Sequence, residues 1–248
     1  MTVTRPAGGG VLREERLLAA INAPAINAPA ASRPAASRPA AGRGQDIGQA
    51  PGRLAALQAF VNTLDVEAGT EQLGSPSALD TWLRSAGLTG PASWQSGAAE
   101  LALAVDLREA LRGVLRSHVT HSPAASREDT AEPGPSPAAR LAEISSKVQA
   151  RISADADGSV RVVAGDSGSR AALTRLLLIA AEAHTLGTWA RLKVCSADDC
   201  QWAFYDRSPT RSGCWCSMQI CGSRAKSRAY RRRAATASRS ARTEAAGA

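Results

Sequence analysis

Four cysteines carry the most specific chemistry of this 248-residue chain. All five of its cysteines fall between positions 195 and 221, and four form two equal pairs, Cys195-x4-Cys200 and Cys216-x4-Cys221, fifteen residues apart. Zinc takes four soft ligands at the corners of a tetrahedron, and two short chelating loops supply them at little loop-closure cost. One structural zinc on Cys195, Cys200, Cys216 and Cys221 is therefore expected, with an iron–sulfur cluster or a redox dithiol as the alternative uses of the pattern. Sulfur at every position leaves no coordination site for a catalytic water, so such a metal is a staple. Cys214 is the fifth thiol. It reads as a spare surface cysteine; replacing Cys216 as ligand, or a redox role beside several arginines, are its other readings.

The residues after the last cysteine suit a polyanion. CGSRAKSRAYRRR places Arg224, Arg228, Arg231 and Arg232 at i, i+4, i+7 and i+8, within about 100° of arc on a 3.6-residue helix. Lys226 and Arg233 fall on the other side. A narrow cationic stripe on a zinc-held helix fits phosphates and guanine edges in a major groove. The net charge is +8, and positions 191–248 hold twelve Lys or Arg against four Asp or Glu, so the whole excess sits in the last quarter of the chain. That asymmetry points to nucleic acid or an anionic surface. A solvated basic face is the bland alternative.

The elements that must position these groups follow from local pattern. Gln201–Asp206 (QWAFYD) alternates like a strand, Ser208–Gly213 supplies a turn, and Cys214-Trp215-Cys216 is the expected return strand. A helix from about Gly222 to Arg233 then completes a treble-clef-like module. Upstream, Leu54, Leu57, Val61 and Leu64 mark one helix face. Ser75 and Pro76 open a second helix with Leu79, Trp82 and Leu83 on one side, and Gly87 stops it. A third spans Ala98–Val119 with Leu103, Leu107, Leu111 and Val114 as its stripe. A short helix is expected over 138–150. Turn chemistry at Asp155-Ala156-Asp157-Gly158 then makes a hairpin of the segments around Ile152 and Val160–Val162. An apolar helix over 171–189, with Leu173, Leu176, Leu177 and Ala180, closes the core.

The flanks read as unstructured. INAPAINAPA and ASRPAASRPA are perfect duplications with proline every five residues, so 1–50 is expected to be a low-complexity tail. Proline-rich 122–137 is an expected linker, and 234–248 a second tail. The fold class expected is mostly α with a small β-hairpin: an α-rich domain over 51–189 and a zinc module over 190–233.

Composition excludes other classes. Hydrophobic residues make up 44% of the chain but aromatics only 4%, so the core rests on Leu, Val, Ile and Ala. No apolar run approaches the roughly 18 residues of a spanning helix, and the N-terminus shows no secretory block. A cytoplasmic, membrane-free protein is expected. No phosphate loop, dinucleotide turn or nucleophile elbow is present. His118, His121 and His184 form no ligand set. No enzyme is expected; Asn62, Thr63 and Asp65 lining a pocket would be the enzymatic alternative.

The segment RLKVCSADDCQWAFYDRSPTRSGCWCSMQICGSRAKSRAYRRR resembles the CGNR zinc finger, which is recognised by a cysteine pair, a W-x-F-Y-D strand, a Trp-Cys pair and a Cys-Gly-Asn-Arg signature opening an Arg-rich helix. The signature here reads Cys221-Gly222-Ser223-Arg224, with Ser in place of Asn. Phe60-Val61-Asn62-Thr63 is similar to the Phe-Val-Asn-Thr motif of the ABATE domain that accompanies this finger, whereas Leu57-Gln58-Ala59 departs from the usual Cys-Leu-Asp before it. The resemblance implies that Cys195, Cys200, Cys216 and Cys221 are the zinc ligands. It further implies a bacterial transcriptional regulator that binds duplex DNA and associates with the nucleoid when bound. A homodimer and a small-molecule effector belong to the same expectation. The alternative function is a zinc-stapled RNA- or protein-binding adaptor that stacks single-stranded bases on Trp202 or Tyr205.

Overall fold

A computed structural model describes residues 48–89, 93–119 and 134–246, with side chains to 236 in the last helix. Residues 1–47 of the expected tail, most of the linker and His121 lie outside the described residues. The elements in chain order are α1 (Leu54–Val61), β1 (Leu64–Asp65), β2 (Thr70–Glu71), α2 (Pro76–Ser85), α3 (Ala98–Ser117), α4 (Pro137–Ser145), β3 (Ala150–Ala154), β4 (Val160–Ala164), α5 (Gly168–Thr185), β5 (Leu192–Val194), β6 (Ala203–Tyr205) and α6 (Ser223–Ala246). The described residues are mostly helical, with three separate two-stranded antiparallel sheets among them.

Local signals explain most boundaries. Ser75 caps α2 by accepting from the Ala78 N–H at 3.1 Å, Pro76 takes the first position where its missing N–H costs nothing, and Gly87 ends the helix at φ +67°. Ser136 and Pro137 repeat that start at α4. The β3–β4 hairpin pairs Ile152 with Val162 and turns at Asp155–Gly158, as its pattern requires.

The core is built by α1, α2, α3 and α5. Leu57, Phe60, Leu79, Leu83, Leu107, Leu111, Leu173 and Leu176 are fully buried in one cluster. Leu64 belongs to β1 rather than to α1, because Asn62 ends the helix and the chain turns into a small β1–β2 hairpin. The α3 stripe runs Leu103, Leu107, Leu111 and Leu115, with Val114 only half-buried.

Three other expectations are corrected. Residues 48–50, assigned to the tail, are docked: the Tyr205 N–H donates to the Gly48 carbonyl at 2.7 Å, and Ala50 N–H to Gln58 Oε1 at 2.6 Å. A Cβ at position 48 would collide with the Tyr205 carbonyl oxygen, so only glycine permits this approach. β6 pairs with β5, Val194 opposite Ala203, and not with Cys214–Cys216. Pairing across the short Cys195–Cys200 turn is the more local choice. Finally, the last helix does not stop at Arg233 but continues to Ala246, because its Ala- and Arg-rich sequence meets no Pro or Gly before Gly247.

Among the described residues, no helix is long and apolar enough to cross a membrane.

Candidate metal centre and basic helix

The first cysteine pair is delivered by the β5–β6 turn. The Cys195 N–H donates to the Trp202 carbonyl at 2.9 Å, and the Cys200 N–H to that of Ala197 at 2.9 Å. This tight knuckle puts Gln201 in the left-handed region, φ +51°. The conformation is held from outside: Arg112 Nη1 donates to the Gln201 carbonyl at 2.9 Å and Gln201 Nε2 to that of Asp198 at 3.0 Å. Of the second pair, Cys216 precedes and Cys221 lies on a single turn of π-helix, Met218–Gly222, started by Ser217, whose Oγ accepts from the Ile220 N–H at 3.3 Å.

These two turns meet sulfur to sulfur. The Sγ atoms of Cys195, Cys200, Cys216 and Cys221 are buried and lie within 4.8 Å of one another. Cys200 to Cys216 is 3.6 Å and Cys216 to Cys221 is 3.7 Å. A zinc–sulfur bond of about 2.3 Å makes a tetrahedral edge of about 3.8 Å. The four sulfurs therefore fit one structural zinc with four protein ligands. Cys214 is half-buried and outside the cluster; its carbonyl accepts from the Ser196 N–H at 3.0 Å, and burial pushes its thiol up. Ion binding requires deprotonated sulfurs. Hydrogen bonds from Cys200, Cys216 and Cys221 hold the Cys195 thiol far below its usual range, and contacts to Cys195 and Cys200 push those of Cys216 and Cys221 far up.

A buried ion pair shapes the loop between the two turns. Lys193 is 2% exposed, yet its ammonium meets Asp206 Oδ2 at 2.8 Å and the carbonyls of Arg211 and Gly213 at 2.5 and 3.1 Å. Asp206 also accepts from the N–H groups of Ser208 and Gly213 at 2.9 and 2.8 Å. Burial alone would raise the Asp206 carboxyl, but Lys193, Ser208 and the Gly213 amide outweigh it and hold the pKa at about 2. The alternation Leu192-Lys193-Val194 divides the strand: Leu192 and Val194 enter the main core, while Lys193 turns to the loop.

The module is thus grafted onto the helical body. Asn62 is the clearest joint. Its Nδ2 donates to the Ala203 carbonyl at 3.0 Å, its Oδ1 accepts from the Ala203 N–H at 2.8 Å, and Gln58 Nε2 adds a second donor to the same carbonyl at 3.1 Å. One side chain therefore stands in for a neighbouring strand on the free edge of β6. Thr63 donates to the Phe60 carbonyl at 2.8 Å and accepts from Arg108 at 3.2 Å, and Asp65 accepts from the Ala68 N–H at 3.0 Å. All three are buried. Their polar atoms bond within the protein itself, and Asn62 acts as a joint between the body and the module. Asn62→Ala should cost about 1–3 kcal/mol, since the Ala203 N–H is orphaned while its carbonyl keeps Gln58. Denaturant unfolding of the zinc-loaded protein measures it, and an unchanged midpoint would refute this role.

Arg108 and Arg112, 2% and 4% exposed on the core side of α3, went unseen in the sequence. Arg108 meets Glu71 at 2.7 Å, and Arg112 reaches the Val61 carbonyl at 2.7 Å as well as Gln201. Two arginines in register with a leucine stripe were the available signal.

The basic helix starts on the last ligand and then leaves the body. Cys221 and Gly222 are buried, but none of residues 223–236 is. Arg224, Lys226, Arg231 and Arg232 are exposed. Arg224 pairs with Glu67 on the β1–β2 turn at 2.8 Å and half-buried Arg228 with Asp199 of the knuckle at 3.2 Å. A shallow groove runs beside Ser223, Ser227, Arg224 and Arg231. The aromatics expected to stack on single-stranded bases turn inward: Trp202 is 9% exposed beside the cysteines, and Tyr205 packs on the main core. His118 is half-buried, its Nδ1 2.8 Å from the Leu192 carbonyl and its ring edge-on to Trp189. His184 is on the surface.

Sequence comparison agrees with this division. The profile of the CGNR zinc finger matches residues 191–234. That of ABATE, described as "Putative stress-induced transcription regulator", matches residues 52–188, more than half of the chain. No curated protein matches it. With the ABATE match covering the helical body and four sulfurs at zinc spacing inside the finger match, the chain belongs to the ABATE family of regulators and carries a CGNR zinc finger for one structural zinc.

Proposed function

We propose that the protein is a cytoplasmic transcriptional regulator that binds duplex DNA through α6. The observation that carries this reading is a helix anchored at its first turn by a zinc ligand and otherwise exposed, with Arg224, Lys226, Arg228, Arg231 and Arg232 along it. A rigid base removes the ordering cost that a free basic tail would incur, and the charge excess of residues 191–248 lies on the same module. The carboxylates of Glu67 and Asp199 already pair with Arg224 and Arg228. Phosphate oxygens would exchange with them like for like.

Fluorescence anisotropy of the zinc-loaded protein on labelled duplex DNA tests the proposal. With four to six phosphates neutralised, log K falls with log salt at a slope of roughly −4 to −5. The Arg224→Ala/Arg228→Ala/Arg231→Ala variant should flatten that slope by at least about two. A salt-independent response, or a triple variant that binds like wild type, would overturn the assignment to this helix. Preference for single-stranded RNA over duplex would instead favour the adaptor function.

A further inference from the structure

The direction in which α6 faces the body says which side of it meets the DNA, and this inference rests on the DNA-binding reading above. Advancing 100° per residue from Arg224 at zero, the half-buried positions Ala225, Arg228 and Ala229 fall between about 40° and 140°. Arg228 is drawn to Asp199 on that side. The body therefore lies behind the helix at roughly 90°. Opposite it, Ser223, Ser227, Tyr230 and Ala234 fall within about 60° of arc centred near 270°. All four are exposed, Tyr230 to 71%, and a shallow groove beside Ser223, Ser227, Arg224, Arg228 and Arg231 runs along the border between this face and the arginines.

Cations border this outward face on both sides. Arg224 and Arg231 lie along one border near 0° and 340°, and Lys226 and Arg233 along the other near 200° and 180°. The four-arginine stripe is thus not the outward face. Its centre leans back toward the protein, and only its Arg224–Arg231 margin reaches the front.

Short polar side chains flanked by two rows of cations match a helix in the major groove. That groove is about 12 Å wide, enough for one α-helix, with a phosphate strand on each wall. Serine allows close approach and hydrogen-bonds to any base, whereas a tyrosine offers a ring to a thymine methyl and a hydroxyl to a base edge. We infer that Ser223, Ser227 and Tyr230 face the base edges and set sequence preference, while Arg224 with Arg231 and Lys226 with Arg233 grip phosphates of the two opposite strands. Ser223 is the position at which this chain departs from the Cys-Gly-Asn-Arg signature. On this geometry, that departure changes which sequence is read without changing the grip.

The test uses the full zinc-loaded chain and a pool of random-sequence duplexes, with bound duplexes recovered and sequenced. Wild type should enrich a motif. Tyr230→Ala and Ser227→Ala should each reduce discrimination at one or two motif positions by at least about fivefold with the salt slope unchanged. Lys226→Ala/Arg233→Ala should keep the motif and flatten the salt slope by about two. All these side chains are exposed, and an unchanged melting temperature and zinc content confirm the folded state. If the motif is unaltered in both Tyr230→Ala and Ser227→Ala, the inference is overturned. If wild type binds duplexes but enriches none, it is overturned while the DNA reading stands. If wild type binds no duplex, both fall.

Discussion

Removing the metal with a strong chelator should abolish the cooperative unfolding transition of the zinc module and lower the melting temperature of the helical body as well. The cause lies in the cluster. Four buried sulfurs within 4.8 Å of one another have no apolar means of holding that arrangement, and the module's own core is little more than Ala197, Trp202 and Phe204. Binding free energy in comparable finger peptides is about 10–16 kcal/mol, more than the whole stability of a typical domain. Cys200→Ser should reproduce most of the effect. The loss spreads because Leu192, Val194 and Ala203 are members of the main core, so a melted module strips part of it. Reloading should release protons, since thiols must give theirs up to bind the ion. Thermal melts followed by circular dichroism, with a pH indicator during reloading, measure both effects. A metal-free protein with the native melting curve would refute the staple.

Lys193→Met is expected to be the most damaging single change outside the cysteines, at about 3–5 kcal/mol. It leaves Asp206 buried at 5% exposure without its cation, in a loop where the Gly213 and Ser208 amides point at that carboxylate. The double variant Lys193→Met/Asp206→Asn should recover much of the loss, because an uncharged pair avoids the stranded charge. Equal damage in the single and double variants would show that the ion pair itself is not the cause.

The same pair sets a pH dependence. Asp206 has a folded pKa of about 2 against an ordinary 3.8. A depressed carboxyl pKa contributes stability that is fully present above about pH 4 and lost as pH falls through about 2. The amount is about 2 kcal/mol. Comparing wild type with Asp206→Asn, both kept zinc-loaded by excess metal, isolates it. The stability gap between them should narrow between pH 4 and pH 2, and a constant gap would contradict the assignment.

Local chemistry was legible in the sequence to the extent that it acts over short separations. The paired cysteines, the Ser75–Pro76 start of α2, the turn at Asp155–Gly158 and the leucine stripe of α3 each concern residues a few positions apart, and the structure places them as their patterns require. What lay beyond reach depends on long separations. Asn62 and Ala203 are 141 residues apart, Arg112 and Gln201 are 89 apart, and no periodicity in either segment announces the other. The choice of β5 as partner for β6 likewise depended on how Leu192 and Val194 could be buried, and the orientation of α6 on where the body stood behind it. The ligand set, the helical class and the basic character of the last helix could be read along the chain, because spacing and side-chain chemistry are local properties. Only the tertiary structure decided that Asn62 is a joint, that Lys193 is a buried ion-pair partner and that the arginine stripe leans toward the protein, because burial is a property of what packs opposite a residue.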